Sequence, residues 1–302
     1  MSATVRAPKS ERSIRRDSER VGFFTDTTVC IGCKACEVAC KQWNDLTSDG
    51  GELVSGGSYD HTRRLSASTW RHVRFIENPT LPTAAVAGGD GLPDLVQMAQ
   101  DAAPPLESWL FMSDVCKHCT NAGCMDACPT GAIIRTEFDT VVIQADVCNG
   151  CGYCIPSCPF GVPDRDPEDG RAAKCTLCYD RLQDGLEPAC AKACPTKSIN
   201  FGPIADLKQM ARGRVGQLQE AGEARAYLYG ADETMLGGLN SFYLLVDKPE
   251  VYGLPPDPRM PSRNLKPSAL WSTLGAVVLA IMGVFHFRER GSRPGRPEGV
   301  DV

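Results

Sequence analysis

Apolar residues recur along the chain with different periods, and each period predicts its own element. Ile133 and Ile134 are separated from Val141, Val142 and Ile143 by a polar turn around Glu137 to Thr140, which predicts a β-hairpin. "SINFG" at 198–202 and "WRHVRFI" at 70–76 read as further short strands. From Ile204, the residues Leu207, Met210, Ala211, Val215 and Leu218 follow near the helical repeat and predict an amphipathic helix, whose apolar stripe either packs on the core or docks a partner. "SFYLLVDKPEVYGLPP" at 241–256 then reads as a strand and an extended Pro-rich linker.

Residues 269–287, "ALWSTLGAVVLAIMGVFHF", are apolar on every face and carry no Lys, Arg, Asp or Glu. At ~1.5 Å per residue the run spans roughly 28 Å, close to the ~30 Å hydrocarbon core of a bilayer, so it predicts a transmembrane helix over a buried soluble one. Trp271 and His286 stand near its ends, where an amphipathic ring faces the interface. Arg259, Arg263 and Lys266 before the span balance Arg288, Arg290, Arg293 and Arg296 after it, so charge does not orient it.

Composition narrows the function. A length of 302 residues suggests about two domains by a rule of one per ~150 residues. The net charge of −5 and pI near 5.5 lack the basic footprint of a nucleic-acid binder, so no nucleic-acid partner is expected. All sixteen cysteines lie between residues 30 and 194. A disulfide scaffold of that density belongs to short secreted chains with a signal peptide. The first twenty residues hold Arg15 and Arg16 with no apolar run behind them, so the pair does not read as a twin-arginine export signal and the segment reads as a solvated charged tail.

The cysteines form four groups: Cys30, Cys33, Cys36, Cys40; Cys116, Cys119, Cys124, Cys128; Cys148, Cys151, Cys154, Cys158; and Cys175, Cys178, Cys190, Cys194. Each opens with C-x2-C and closes with C-x3-C, and three of them close on Cys-Pro. This spacing matches bacterial ferredoxin-type [4Fe–4S] ligation, in which the fourth cysteine serves the other cluster of a pair. A tight loop points three sulfurs at one cubane, while the fourth faces a neighbouring site; the following proline ends the helix that carries it. Exchange between groups two and three predicts Cys116, Cys119, Cys124 with Cys158 (cluster 3) and Cys148, Cys151, Cys154 with Cys128 (cluster 4). Exchange between groups one and four predicts Cys30, Cys33, Cys36 with Cys194 (cluster 1) and Cys175, Cys178, Cys190 with Cys40 (cluster 2). Zinc ribbons also use C-x2-C pairs, but a third loop cysteine and a C-x3-C-P ending fit separate four-cysteine zinc sites poorly.

The fold class expected is α+β: two nested bacterial-ferredoxin-like modules holding four [4Fe–4S] clusters, plus one C-terminal transmembrane helix. Its divisions are a charged tail at 1–20; a four-cluster domain at 21–203, with an insertion at 46–110 over the cluster core and an inner module at 112–165; a helix, strand and Pro-rich linker at 204–265; the membrane helix at 266–288; and a short polar tail at 289–302. His118 in the group-two loop is a candidate for tuning a cluster by hydrogen bonding, against a plain loop histidine. Lys34, Lys117 and Lys174 beside ligands are candidates for raising a nearby potential, with solvation as the expectation, and Tyr153 and Phe160 are expected to shield clusters from water rather than to carry electrons. "KQWND" after Cys40 has no proline and extends its helix toward a possible partner surface around Trp43. No nucleophile–base pair or phosphate loop stands out, so the chain is expected to carry no catalytic residue of its own.

With the groups placed, the sequence resembles the iron–sulfur (β) subunits of membrane-bound respiratory formate dehydrogenases, from about Phe23 to Phe287. The resemblance rests on "GFFTDTTVCIGCKACEVACKQWND", "LSASTWRHVRF", "CKHCTNAGCMDACPTGAI", "CNGCGYCIPSCPFGVP", "KCTLCYDRLQDGLEPACAKACPT", "YLLVDKPEVYGLPPDP" and the terminal span. It implies electron transfer from a molybdenum or tungsten bis-pterin site in a separate catalytic α subunit, through four [4Fe–4S] clusters, to a cytochrome b-type membrane γ subunit and quinone. It also implies attachment to the cytoplasmic membrane, in contact with lipid through one C-terminal anchor, with the soluble domain on the extracytoplasmic face. The equivalent iron–sulfur subunit of a hydrogenase or another molybdopterin oxidoreductase is the alternative; a membrane-anchored redox sensor or cluster scaffold is a reading of a different class.

Overall fold

A computed structural model describes residues 20–47, 60, 62–76 and 109–291. The charged tail up to residue 19, most of the 46–110 segment and the polar tail after residue 291 lie outside the described residues. Strands are β1 (Val21–Asp26), β2 (Arg71–Ile76), β3 (Leu110–Val115), β4 (Ile133–Arg135), β5 (Val141–Ile143), β6 (Asp164–Arg165), β7 (Ala172–Ala173), β8 (Ile199–Pro203), β9 (Tyr227–Tyr229) and β10 (Ser241–Leu245). Helices are α1 (Ala35–Trp43), α2 (Gly123–Asp126), α3 (Tyr179–Gln183), α4 (Ala189–Lys192), α5 (Ile204–Glu220) and α6 (Leu265–Gly291).

A four-stranded sheet of order β8-β1-β10-β9 divides the unit that ends at Met260. β1 runs parallel to β10 and antiparallel to β8, with Phe24 opposite Phe242 and Phe23 opposite Phe201. Because successive side chains alternate faces, Phe24 and Phe242 stack at 5.5 Å under Ile204, Leu207 and Ala211 of α5. Phe23 points the other way, into a core shared with Cys36, Val73, Cys175 and Cys190. The sheet therefore has a helix layer on one side and the cysteines on the other. Gly22 is required by close approach: a Cβ there would lie 1.8 Å from the carbonyl oxygen of Asn240, the same oxygen that accepts the Phe23 N–H at 2.7 Å.

Three expectations change in detail. The helix from Ile204 buries Ile204, Leu207 and Ala211, but Met210 turns outward and is 52% exposed, because the buried stripe is one residue narrower than the apolar pattern. The expected boundary at residue 203 is not a seam, since β10 from beyond it inserts between β1 and β9 with all five residues buried. The expected Pro-rich linker is partly core: Pro249–Tyr252 forms a 3-10 turn, Gly253 takes φ +68°, and Tyr252 and Leu254 are buried against Tyr243 and Leu245. Strand β2 starts at Arg71 and pairs with β3 through six residue pairs, and with Leu65 and Val73 in the main core this part of the 46–110 segment is built into the fold. The hairpin pairs Ile133 with Ile143, and the hydroxyls of Thr136 and Thr140 meet at 2.8 Å across its turn.

The second unit, from Pro261, contains α6. Its stretch Ser268–Arg288 has a mean hydropathy of 1.9 and is long and apolar enough to cross a membrane. The hydroxyls of Ser272 and Thr273 donate to the carbonyls of Ser268 and Ala269 at 2.8 and 3.0 Å, so two of its few polar side-chain groups are satisfied within the helix.

Candidate metal centres

β1 leads into the first cysteine loop through a 3-10 turn at Thr27–Val29. The Asp26 carboxylate accepts the Thr28 N–H at 2.9 Å and is clamped by Arg214 at 2.9 Å. Gly32 at φ +66° and Lys34 at φ 60° then turn the chain into α1. Cys36 and Cys40, four residues apart, lie one turn apart on a single helix face, and both are buried. The later loop from Cys175 turns on two consecutive left-handed residues, Leu177 and Cys178, at φ 61° and 50°. Such φ values cost energy in residues with a Cβ, and here the Leu177 N–H is aimed at the Cys175 sulfur at 3.3 Å.

The cysteines line cavities. Cys30, Cys33, Cys36 and Cys194 line one; Cys116, Cys119, Cys124 and Cys158 line a second; and Cys128, Cys148, Cys151 and Cys154 line a third. The remaining four are drawn together as well: the thiol of Cys40 is raised by burial and then by the charges of Cys175, Cys190 and Cys178. Among the described residues no three His, Cys, Asp or Glu side chains converge tightly enough to hold one metal ion. Three cavities, each with four sulfurs at its wall but with no tight three-ligand group among the described residues, fit a multi-atom cluster better than a single zinc.

Burial is the main force on these thiols. It pushes Cys36 and Cys124 up to about 12, and Cys154 and Cys178 up to about 11. Groups buried this way become thiolates only when a metal compensates the charge. Cys128 goes the other way: although burial raises it, the Thr130 hydroxyl and the backbone N–H groups of Ile133, Ala132 and Thr130 lower it further.

Buried donors around the cavities supply the complement. His118 is buried beside the cavity of Cys116, Cys119, Cys124 and Cys158. Its Nδ1 accepts the Val141 N–H at 3.0 Å, which leaves Nε2 as the protonated nitrogen, and among the described residues that atom has no hydrogen-bond partner. Burial, then the charges of Lys174, Arg135 and Arg71, hold the ring neutral. The expected solvation of Lys117 and Lys174 is overturned, since both are almost fully buried. Lys117 pairs with Asp114 and donates to the Tyr243 hydroxyl at 3.0 Å. Burial raises the Asp114 carboxyl, but the charges of Lys117 and Arg74 outweigh it and hold it at about 2. Among the described residues Lys174 donates only to carbonyl oxygens, those of Val141 and Cys175, and the charges of Cys116, Cys124 and Cys175 keep it protonated against its burial. Lys34 is less buried and pairs with Glu37 at 3.6 Å. Phe160 packs against two of the cores, whereas Tyr153 is 61% exposed. Trp43 is 45% exposed; its indole donates to Asp180 at 2.7 Å and its ring lies 4.2 Å from the Arg181 guanidinium carbon.

Arg71 is the residue that sequence reasoning missed. The sequence places it only in a strand, yet the strand period puts it on the same face as Val73, whose side chain is core. Arg71 is 1% exposed, and among the described residues both Nε and Nη2 lack hydrogen-bond partners. Unpartnered donors at Arg71 and His118, and an ammonium at Lys174 that faces thiols instead of carboxylates, suit a sulfide-rich anionic group. The residues present therefore fit the implied cofactor.

Four-sulfur cavities lined by thiols and buried donors define a ferredoxin-type iron–sulfur protein. Two 4Fe-4S dicluster domain models match the chain, at residues 29–132 and 107–204. The formate dehydrogenase-O iron–sulfur subunit of Escherichia coli strain K12 is 40% identical over 276 residues, covering 89% of this chain and 83% of that one. The formate dehydrogenase iron–sulfur subunit of Haemophilus influenzae is 44% identical over 245 residues, 80% and 70% of the two chains. A component of the anaerobic dimethyl sulfoxide reductase of Escherichia coli strain K12 is 34% identical, but over only 62% of this chain and 76% of its own length. The protein belongs to the family of formate dehydrogenase iron–sulfur subunits.

Proposed function

We propose that the sixteen cysteines hold four [4Fe–4S] clusters in the crossed sets described, and that the chain conducts electrons between a catalytic and a membrane subunit. The observation that carries this reading is that three loop cysteines of one group share a cavity with the last cysteine of another, as Cys30, Cys33 and Cys36 do with Cys194. A [4Fe–4S] cluster supplies one-electron redox chemistry whose potential depends on charge, hydrogen bonds and exposure. Cys36 lies within the field of Cys190, Cys175 within that of Cys116, and Cys124 within that of Cys154. These neighbouring charges support a line of sets: Cys30 set, Cys40 set, Cys116 set, Cys128 set. The two end sets contain the exposed cysteines, Cys33 and Cys151, while Cys40, Cys175, Cys178 and Cys190 are all buried. A line with accessible ends and a dry middle is suited to passing electrons between two docked proteins.

The extent of the likeness to formate dehydrogenase subunits, beyond the cysteine region it shares with dimethyl sulfoxide reductase, supports a formate-oxidising partner. In this reading electrons enter from a molybdenum or tungsten pterin site in that partner and leave to a membrane cytochrome b subunit and quinone. Helix α6 anchors the chain in the cytoplasmic membrane, with residues 21–260 on its outer face. The test is mild detergent extraction through a tag on this chain, followed by assay of formate-dependent quinone reduction. Activity in the co-purified complex supports the reading; a co-purified large subunit inactive toward formate rejects it in favour of another oxidoreductase.

A further inference from the structure

Arg71 stands where two of the cysteine sets meet. Its charge is felt by Cys36 of the first set and by Cys190 and Cys175 of the second. It enters from the first residue of β2, and one nitrogen, Nη1, is held at 3.0 Å by the Ser113 hydroxyl, which itself lies 3.2 Å from the Cys36 sulfur. The guanidinium carbon lies over the Phe23 ring, 4.7 Å from its centroid. Among the described residues no carboxylate forms an ion pair with it, and Nε and Nη2 remain without partners. Arginine carries five donors in a rigid fork and stays charged under all ordinary conditions. A buried guanidinium with two idle donors is costly unless anionic acceptors complete it.

We propose that Arg71 is a shared charge and hydrogen-bond donor to the two clusters of the outer pair, holding both at higher potential than they would otherwise have. The inference rests on the cysteine sets proposed above. A fixed positive charge favours the reduced, more negative form of each cluster, so its removal makes each harder to reduce. Arg71 is thus a positioning and tuning residue for electron transfer, and takes no part in bond chemistry.

The test is an EPR-monitored redox titration of the intact complex, wild type against Arg71→Lys, Arg71→Gln and Arg71→Met, with iron and acid-labile sulfide determined on each sample. With iron content unchanged, the Gln and Met variants should show two of four potentials lowered, by at least about tenfold in the reduced-to-oxidised ratio, or about 59 mV for a one-electron couple. The other two potentials should stay in place, and Arg71→Lys should keep most of the wild-type values. If Gln and Met lose clusters while Lys retains them, the charge requirement is equally supported. Unchanged potentials at full iron in Gln and Met overturn the proposal, as does a Lys variant that shifts as far as Met or loses clusters with the others. Failure of the underlying cysteine sets shows separately, as a Cys194→Ser complex whose spectroscopic damage is confined to the cluster of Cys175, Cys178 and Cys190.

Discussion

Removing the iron should unfold the unit that ends at Met260, and the structure sets the size of the effect. Arg71 and Lys174 are 1% and 2% exposed, and among the described residues neither forms an ion pair with a carboxylate. Stripping a buried charge of its counter-charge costs about 3–5 kcal/mol. Two such groups cost about 6–10 kcal/mol together, comparable to the ~5–15 kcal/mol that stabilises a whole domain. Emptied cavities among the same core residues add to the loss. The assay is anaerobic chelation of the reduced protein in detergent, followed by hydrogen exchange. Amides of β1, β8 and β10 should lose protection together while α6, which lies in the other unit, keeps its helical protection. An iron-free chain that retains slow exchange in β1 and β10 would refute the reasoning, because the buried cations would then have found another partner.

Other consequences are more local. Phe242→Ala removes a fully buried ring stacked on Phe24 and should destabilise the holo-protein by about 3–5 kcal/mol in denaturant titration; a loss below about 1 kcal/mol would contradict the assigned core. Truncation before Lys266 should move the chain from membrane to soluble fractions with its iron retained, and continued membrane association would mean that α6 is not the anchor. Trp43→Ala should lower recovery of the catalytic partner without loss of iron, since the exposed indole at the end of α1 marks the proposed docking surface; unchanged assembly counts against that surface.

The meeting of the cysteines at shared cavities was legible because C-x2-C loops and C-x3-C endings are local geometry. The hairpin at β4 and β5 and the apolar run of α6 were legible for the same reason, each being set by residues within one element. What was not legible came from distant contacts. The place of β10 between β1 and β9 depends on pairing across more than two hundred residues, so the Pro-rich segment after it read as a linker although Tyr252 and Leu254 are core. Lys117 and Lys174 read as solvated because lysine almost always is. Their burial follows from partners, Asp114 and the thiols, that the local sequence does not bring into view. Arg71 was hidden likewise, inside a strand whose inward face is known only once Val73 is seen to be core.

The central claim is the crossing of sulfurs between groups, and Cys194→Ser tests it most directly. Mössbauer and EPR spectra of the variant complex should show loss or conversion of the cluster held by Cys30, Cys33 and Cys36, far earlier in the chain, with the inner pair unchanged. Damage confined to the cluster of Cys175, Cys178 and Cys190 would contradict the account.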